Sequence, residues 1–321
     1  GVQTCALPIS DIDALSVKEL TECDYKSKNE GFMHACGHDC HMSMLLGAAM
    51  ILTEIKNELN GTIRLLFQPA EEVAAGAKKM IKAGALDDVD GVFGIHVWSD
   101  IEQGFVCIQE GPLMASADLF TINVRGKGGH GSAPHQGVDA VIASSAIVMN
   151  LQSIVSRELS PLEPAVVSVG SLNVGSRFNV IASEGTLCGT TRSFNQNVRD
   201  KFPEMIERIA QDTASAYRAE AEVTYIFATP VVINDTICSK IAEKSLDEID
   251  AKSINIEKIT GGEDFAEYLN RVPGIIALVG VRNESKGACY PQHHPMYAVD
   301  EDALEIGTAL YAQYAKDFLD S

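Results

Sequence analysis

The feature that most constrains this chain is a cluster of metal-capable side chains at 34–41, which reads His-Ala-Cys-Gly-His-Asp-Cys-His. Three His, two Cys and one Asp within eight positions have no explanation in hydrophobic patterning. The apolar run 42–55 has helical spacing and no Gly or Pro after Gly47, so the cluster is predicted on the loop and first turn that open a helix. We interpret it as a metal site. The alternative is a polar loop in which Cys36 and Cys40 are small buried apolar residues.

Length and charge limit the kind of protein and partner. A chain of 321 residues has room for two domains. Its net charge of −19 argues against nucleic acid and anionic membranes as partners, because both would be repelled. We find no secretory signal pattern and no apolar stretch near the roughly 20 residues of a bilayer span. The eight Cys are scattered through the chain, which predicts reduced thiols in a cytoplasm.

The N-terminal segment does not fit the rest of the pattern. Residues 1–9 show neither the helical nor the strand period, whereas 11–15 resembles the end of a strand already under way. We therefore predict that residues 1–9 are foreign to the fold and that the true first elements are missing.

Two apolar runs, 61–67 and 90–98, are predicted as buried strands. The first leads into Glu71 and Glu72, and the second carries His96 near its end. Ligands of open α/β sheets bind beyond the carboxyl ends of the strands, so these side chains are expected at one functional edge. A helix N-terminus would also explain the Glu pair, and a lone His is commonly a satisfied core residue. The loop at 292–295, between a predicted strand and a terminal helix, adds His293.

From about residue 117 the pattern changes to strand-helix-strand-strand-helix-strand, which is the order of a split βαβ sandwich. We predict a catalytic domain over 10–116 and 229–321, interrupted by a second domain over 117–228. The Gly-rich loop 126–135 lacks the Lys-Ser/Thr ending of a phosphate-binding loop, which excludes nucleotide binding there. It carries His130 and His135. Flexible glycines suit a His that reaches into a site elsewhere, and two exposed loop histidines are the alternative.

The candidate ligands come from separate segments, as in a catalytic metal centre rather than a structural zinc site. They are too many for one tetrahedral ion and suit two ions roughly 3.5 to 4 Å apart. The thiolate favours zinc, although mixed donors would also accept manganese, cobalt or nickel. These candidate ligands are Cys36, His38, Glu72, His96 and His293.

Because Glu71 and Glu72 are adjacent, the two carboxylates can have different chemical roles. One carboxylate can bind metal while its neighbour takes a proton from a metal-activated water and passes it to a leaving amine. The developing oxyanion needs a hydrogen-bond donor, which His130 could supply.

Six motifs, in this order, resemble those of the dimetal aminoacylase/carboxypeptidase family, from about Asp11 to the C-terminus. The amidohydrolase branch, with hippurate hydrolase and the indole-acetyl-amino-acid hydrolases, is the most similar. The motifs are His-Ala-Cys-Gly-His-Asp at 34–39, Gln-Pro-Ala-Glu-Glu at 68–72, Gly-Ile-His at 94–96, Gly-His-Gly-Ser-Ala-Pro-His at 129–135, Gly-Glu-Asp-Phe at 262–265 and His-His-Pro at 293–295.

The resemblance implies an α/β fold, in which a catalytic α/β/α domain with a central mixed sheet is interrupted by a ferredoxin-like α+β lid that also dimerises. It implies the ligand set given above, with Cys36 bridging and Glu71 as general base. It further implies that His130 acts in the partner's active site. Asp13 matches an Asp that supports the metal site. Asn179 and Arg192 match lid positions that contact substrate in the family. His293 matches the metal ligand, with His294 as the alternative.

The activity implied is metal-dependent hydrolysis of the amide bond of N-acyl amino acids by a homodimer. A dipeptidase or carbamoyl-amino-acid hydrolase on the same scaffold is the first alternative. A non-catalytic relative or an inactive fragment is the second. The sequence departs from the family pattern in two ways: no helix and strand are evident before 11–15, and Ser16 replaces the usual Pro.

Overall fold

The computed structural model describes residues 4–321, and the chain divides into two compact units. The first unit runs to Leu113 and continues over Val232–Lys258 and Asp264–Ser321. The second unit comprises Met114–Val231 and Ile259–Glu263. The domain limits given above, and the roles of the domains as catalytic domain and lid, stay predictions.

The described strands are β1 Cys5–Asp11, β2 Thr62–Ile63, β3 Leu66–Gln68, β4 Gly91–Glu102, β5 Phe105–Cys107, β6 Gly111–Met114, β7 Ser116–Arg125, β8 Gly129–His130, β9 Ala165–Val174, β10 Val180–Ile181, β11 Glu184–Ser193, β12 Glu220–Thr229, β13 Val232–Asn234, β14 Lys252–Ser253 and β15 Gly274–Arg282. The α-helices are α1 His38–Glu54, α2 Gly76–Lys82, α3 Ala140–Ser153, α4 Gln196–Arg199, α5 Phe202–Ala216, α6 Thr236–Glu248, α7 Ala266–Leu269 and α8 Ala303–Leu319.

A seven-stranded sheet organises the first unit, with the order β14-β5-β15-β4-β1-β2 and β3 also paired to β1. Strands β1, β4 and β15 run parallel to one another, whereas β5 runs antiparallel to β15. The sheet is therefore mixed. This confirms the predicted α/β fold class with a central mixed sheet.

The prediction that residues 1–9 are foreign to the fold is wrong for the part that the structure describes. Strand β1 is buried from Cys5 to Ser10, and Leu7 pairs with Val92 of β4 in the interior of the sheet. A parallel strand covered on both faces has no alternation of polar and apolar residues. Pro8, which lacks an N–H, further disguised it. Residues 1–3 lie outside the described residues.

Helices α1, α6 and α8 share one apolar core with the sheet. Leu45 of α1, Phe93 of β4, Ile275 of β15 and Tyr311 of α8 are nearly or fully buried within it. The Tyr311 hydroxyl donates to the Ile9 carbonyl and accepts from the Ile95 N–H. This packing fixes α1 on the central strands, whose carboxyl ends carry the polar residues described below.

The second unit contains a four-stranded antiparallel sheet of order β12-β7-β11-β9. Helices α3 and α5 share a core with it, in the strand and helix order predicted from the sequence. The helical stretch Ala140–Glu158 has the length and apolarity of a membrane-crossing helix, with 33% of it buried. No stretch of that kind was expected from the sequence. One such helix is weak evidence of a membrane span, because core helices of soluble proteins pass the same test.

Candidate active site

The metal-capable cluster lies at the start of helix α1, as its spacing predicts. The helix begins at His38, and Gly37 precedes it with a left-handed φ of 82°. A Cβ atom at Gly37 would come within 2.4 Å of Val97 Cγ2, so only glycine fits between Cys36 and His38. The turn brings both ligand candidates against strand β4.

Hydrogen bonds fix which ring nitrogen His38 and His96 present to the site. The Nδ1 of His38 lies 3.0 Å from the Asp13 carbonyl oxygen, and the Nδ1 of His96 lies 2.6 Å from the Val97 carbonyl oxygen. Since a carbonyl oxygen only accepts, both Nδ1 atoms carry the proton. Each Nε2 is left with a lone pair, and that of His96 lies 3.5 Å from Cys36 Sγ. This is the arrangement of metal-ligating histidines.

Glu71 and Glu72 lie in the turn after β3, and helix α2 begins only at Gly76. They are therefore not in the first turn of a helix. The turn includes two non-glycine residues with positive φ, Ala70 at 65° and Ala74 at 51°. Asp13 Oδ2 accepts a hydrogen bond from the Glu72 N–H at 3.1 Å, which ties the turn to the segment after β1.

His293 reaches the same site from the loop before α8. Its N–H donates to the Ala35 carbonyl at 2.7 Å, and its Nε2 lies 3.5 Å from Glu72 Oε1. His294 is placed differently, because its ring stacks on Tyr290 at 4.6 Å and its Nδ1 accepts from a backbone N–H. The structure thus brings His293, rather than His294, to the other candidate ligands.

The five candidate ligands form two groups that share Cys36. One group is Cys36, His38 and His96, and the other is Cys36, Glu72 and His293, each with ligand atoms within 4.8 Å of one another. His38 Nε2 and Glu72 Oε1 are buried without a hydrogen-bond partner. Buried polar atoms are nearly always satisfied, so these atoms and the mixed thiolate, imidazole and carboxylate donors fit bound divalent ions.

The charges around the site favour a cation. Burial opposes protonation of His38, but the hydrogen bond to Asp13 and the nearby carboxylates of Asp11 and Glu72 outweigh it and raise the pKa of His38. Burial is the main reason that the pKa of His96 is lowered to about 3, and the charge of His38 contributes to the same shift. His96 is therefore neutral at neutral pH, as a metal ligand must be.

Asp13 faces both the histidine and the glutamate side of the site. Its Oδ1 lies 3.3 Å from His38 Nδ1. Burial would raise the pKa of Asp13, but hydrogen bonds from His38 and from the backbone of Glu72 and Glu71 prevail and lower it. Asp13 thus stays ionised and orients a ligand on each side.

Asp11 and His41 were not predicted as site residues. His41 is fully buried, and its Nδ1 lies 3.7 Å from Asp11 Oδ2. Its Nε2 accepts from the Val97 N–H at 3.0 Å, and burial holds the pKa of His41 well below its usual value. With His38 they form another group of metal-capable side chains. The sequence signal for His41 was its place in the metal-capable cluster at 34–41.

The remaining predicted site residues lie in the second unit. Strand β8 pairs His130 with Val180, and the Gly131 N–H donates to the Asn179 carbonyl, so His130 and Asn179 are neighbours. Arg192 on β11 donates to Thr190 Oγ1 and to a backbone carbonyl. The structure therefore brings His130 and Asn179 together and places Arg192 on a different strand.

Known proteins with similar sequences and structures define the class. The model of Peptidase family M20/M25/M40 matches residues 9–317. N-acetylcysteine deacetylase of Bacillus subtilis is 40% identical over 306 residues, covering 95% of this chain and 79% of the relative. Thermostable carboxypeptidase 2 of Saccharolobus solfataricus is 40% identical over 312 residues, covering 96% and 79%.

A solved structure agrees with these matches. A dinuclear metal-binding peptidase of the M20 family from Bacillus subtilis superposes with a TM-score of 0.88 at 35% identity, covering 99% of this chain and 82% of that one. The protein is thus a hydrolase of the metallopeptidase class. The chain belongs to Peptidase family M20/M25/M40.

Proposed function

We propose that this enzyme hydrolyses the amide bond of N-acyl amino acids and releases a carboxylic acid and a free amino acid. The observation that carries the proposal is the position of Glu71. The Glu71 carboxylate lies close to His38 and Glu72. It is not a member of either of the two ligand groups that contain Cys36. A base beside a metal centre is what hydrolysis of an amide requires. The similarity to an N-acetylcysteine deacetylase supports the N-acyl substrate class.

In this proposal the five ligands would hold two divalent ions, and Cys36, which belongs to both groups, would serve both. Zinc is the first candidate because a thiolate and imidazoles suit it, and manganese, cobalt and nickel are the others. Bound ions would polarise the amide carbonyl and lower the pKa of water.

Glu71 takes a proton from the attacking water and delivers it to the departing nitrogen. Its Oε2 lies 4.0 Å from His38 Nε2, so the carboxylate stands beside the ligands. Asp13 fixes the position of the Glu71–Glu72 turn relative to the His38 ring through the hydrogen bonds described above. The two carboxylates of the pair thus have separate roles, ligand and base.

His130 is proposed as the donor to the oxyanion. Its Nδ1 accepts from the Ser132 N–H at 3.1 Å, which leaves the proton of the neutral ring on Nε2. The side chain is exposed on its own unit, so this N–H can reach a substrate oxygen. Asn179, next to it, is proposed to bind a polar substrate group, and Arg192 the substrate carboxylate.

The proposal predicts a substrate order. The enzyme loaded with zinc or manganese should release free amine from N-acetyl-L-cysteine or N-benzoylglycine faster than from a dipeptide or an N-carbamoyl amino acid, measured by an amine-reactive assay at equal concentrations. Faster cleavage of the dipeptide or carbamoyl substrate would replace the proposal with one of those activities. No cleavage of any substrate by metal-loaded protein would indicate a non-catalytic relative.

We further propose a homodimer formed through the second unit. Strand β9 is an edge of its sheet, and apolar residues on β9 and on α3 are exposed. Ile142 is 51% exposed, Met149 71% and Leu172 39%. A monomer rarely exposes such apolar surface beside an unpaired edge, so a second copy of the chain is the proposed occupant.

If His130 acts in the partner's active site, two inactive variants should complement each other. His130→Ala and Glu71→Gln are each expected to be inactive, and a mixed dimer should regain part of the activity because one site has both an intact Glu71 and an intact His130. The measurement is turnover after mixing and reassembly, with each variant alone as control. A verified mixed dimer without any recovery would contradict the exchange.

A cytoplasmic location is also proposed. All eight Cys lie within the described residues and none of them forms a disulfide, as expected in a reducing compartment. Cell fractionation would test it, and recovery outside the cytoplasm would contradict it.

A further inference from the structure

The backbone N–H and carbonyl of Val97 contact three segments that carry candidate ligands. Its N–H donates to His41 of helix α1 at 3.0 Å, and its carbonyl accepts from His96 Nδ1 at 2.6 Å. The same carbonyl accepts from Gln292 Nε2 at 3.1 Å. Gln292 immediately precedes His293, so the third bond joins the His293 loop to strand β4.

Both ends of the Gln292 amide are in use, which fixes its orientation. Val97 offers a carbonyl oxygen, which can only accept, so the NH₂ group must face it. The amide oxygen then accepts from Ser99 Oγ at 2.5 Å. Ser99 is buried on β4, two residues beyond Val97. Strand β4 thus holds Gln292 at two points.

His293 needs such support from its backbone. Its side chain is 56% exposed, so packing does little to orient it. Its φ is 67°, a left-handed conformation that is strained for any residue other than glycine and persists only when the surroundings impose it. The contacts that impose it are the His293 N–H bond to Ala35 and the Gln292 bonds to β4.

We propose that Gln292, oriented by Ser99, is a positioning residue that holds His293 in place and so sets the affinity of one of the two ions. The inference rests on the proposed ligand set. The ion concerned is that of Cys36, Glu72 and His293, whereas the group of Cys36, His38 and His96 contains no ligand from the His293 loop. Hydrogen bonds that orient metal ligands are typically worth roughly 10–100-fold in metal affinity.

The test is zinc binding by the metal-free full chain, measured by calorimetry with a competing chelator. The unaltered protein should bind two ions. Gln292→Ala should bind one ion as before and the other roughly 10–100-fold more weakly. Ser99→Ala should lower the affinity for the same ion by a smaller factor. Ser99→Thr, which keeps the hydroxyl, should restore that affinity. Gln103→Ala, just beyond β4, is the matched control and should bind both ions normally.

A double-mutant comparison separates positioning from a general structural role. In a His293→Ala background, Gln292→Ala should have no further effect on metal binding, because the ligand that it positions is gone. The melting temperature of the metal-free protein should be unchanged by Gln292→Ala. An additive loss in the double variant, a lower melting temperature with both ions weakened, or normal binding of both ions would each overturn the inference. Fewer than two ions on the unaltered protein would instead overturn the proposed metal centre, and this inference with it.

Discussion

Glu71→Gln should lower kcat by roughly 10²–10⁴-fold, the usual contribution of a general base, while the protein keeps both ions. The amide has nearly the same shape as the carboxylate but cannot accept the proton from water. Glu71 lies beside His38 and outside the two groups that share Cys36, so its loss should leave the ligands intact. Turnover and metal content would be measured on the same preparation.

The neighbouring residue supplies the control for this experiment. Glu72→Gln should lose metal, because Glu72 belongs to a candidate ligand group. Its loss of activity should therefore be accompanied by a loss of ions. Near-normal turnover by Glu71→Gln would remove the assigned role, and metal loss in that variant would make Glu71 a ligand instead.

Cys36→Ser should have the largest effect on metal binding, since Cys36 is the one residue common to both candidate groups. We expect the affinity for both ions to fall by more than roughly 100-fold, the upper end of what loss of a mere supporting hydrogen bond costs. His293→Ala should lower the affinity for only one of the two ions. Metal content after dialysis against a weak chelator would measure both effects.

Cys40→Ser is the matched control for Cys36→Ser. Cys40 lies four residues further along and is also buried, but its side chain belongs to the apolar core of the first unit. Its replacement should leave two ions bound. Retention of both ions by Cys36→Ser, or equal metal loss in the two variants, would show that the thiolate is not shared between the ions.

The sequence predicted well those elements whose pattern is local. Helix α1 and strand β4 lie where the apolar runs 42–55 and 90–98 indicated, and the periodicity of the second unit predicted its order of strands and helices. Strand β1 was missed because a strand buried on both faces carries no alternation, and only its partners in the sheet reveal it. Its Leu7 pairs with β4 in the centre of the first unit.

The supporting residues were beyond local reasoning. Asp11, His41, Ser99 and Gln292 contribute through contacts with residues far along the chain, such as the 193 positions that separate Ser99 from Gln292. No spacing rule relates such pairs. Their partners depend on how the strands and loops pack.

The sequence by itself determined which donor atoms this protein has and in which segments they occur. It could offer both Cys36 and Cys40, and both His293 and His294, because neighbouring side chains of the same type are equivalent until the backbone is placed. The tertiary structure places one member of each pair beside the other candidate ligands. The left-handed turn at Gly37 directs Cys36 toward His96, whereas Cys40 enters the core. The left-handed backbone of His293 aims its ring at Glu72, since the direction of a side chain follows from φ and ψ and from the contacts that hold them.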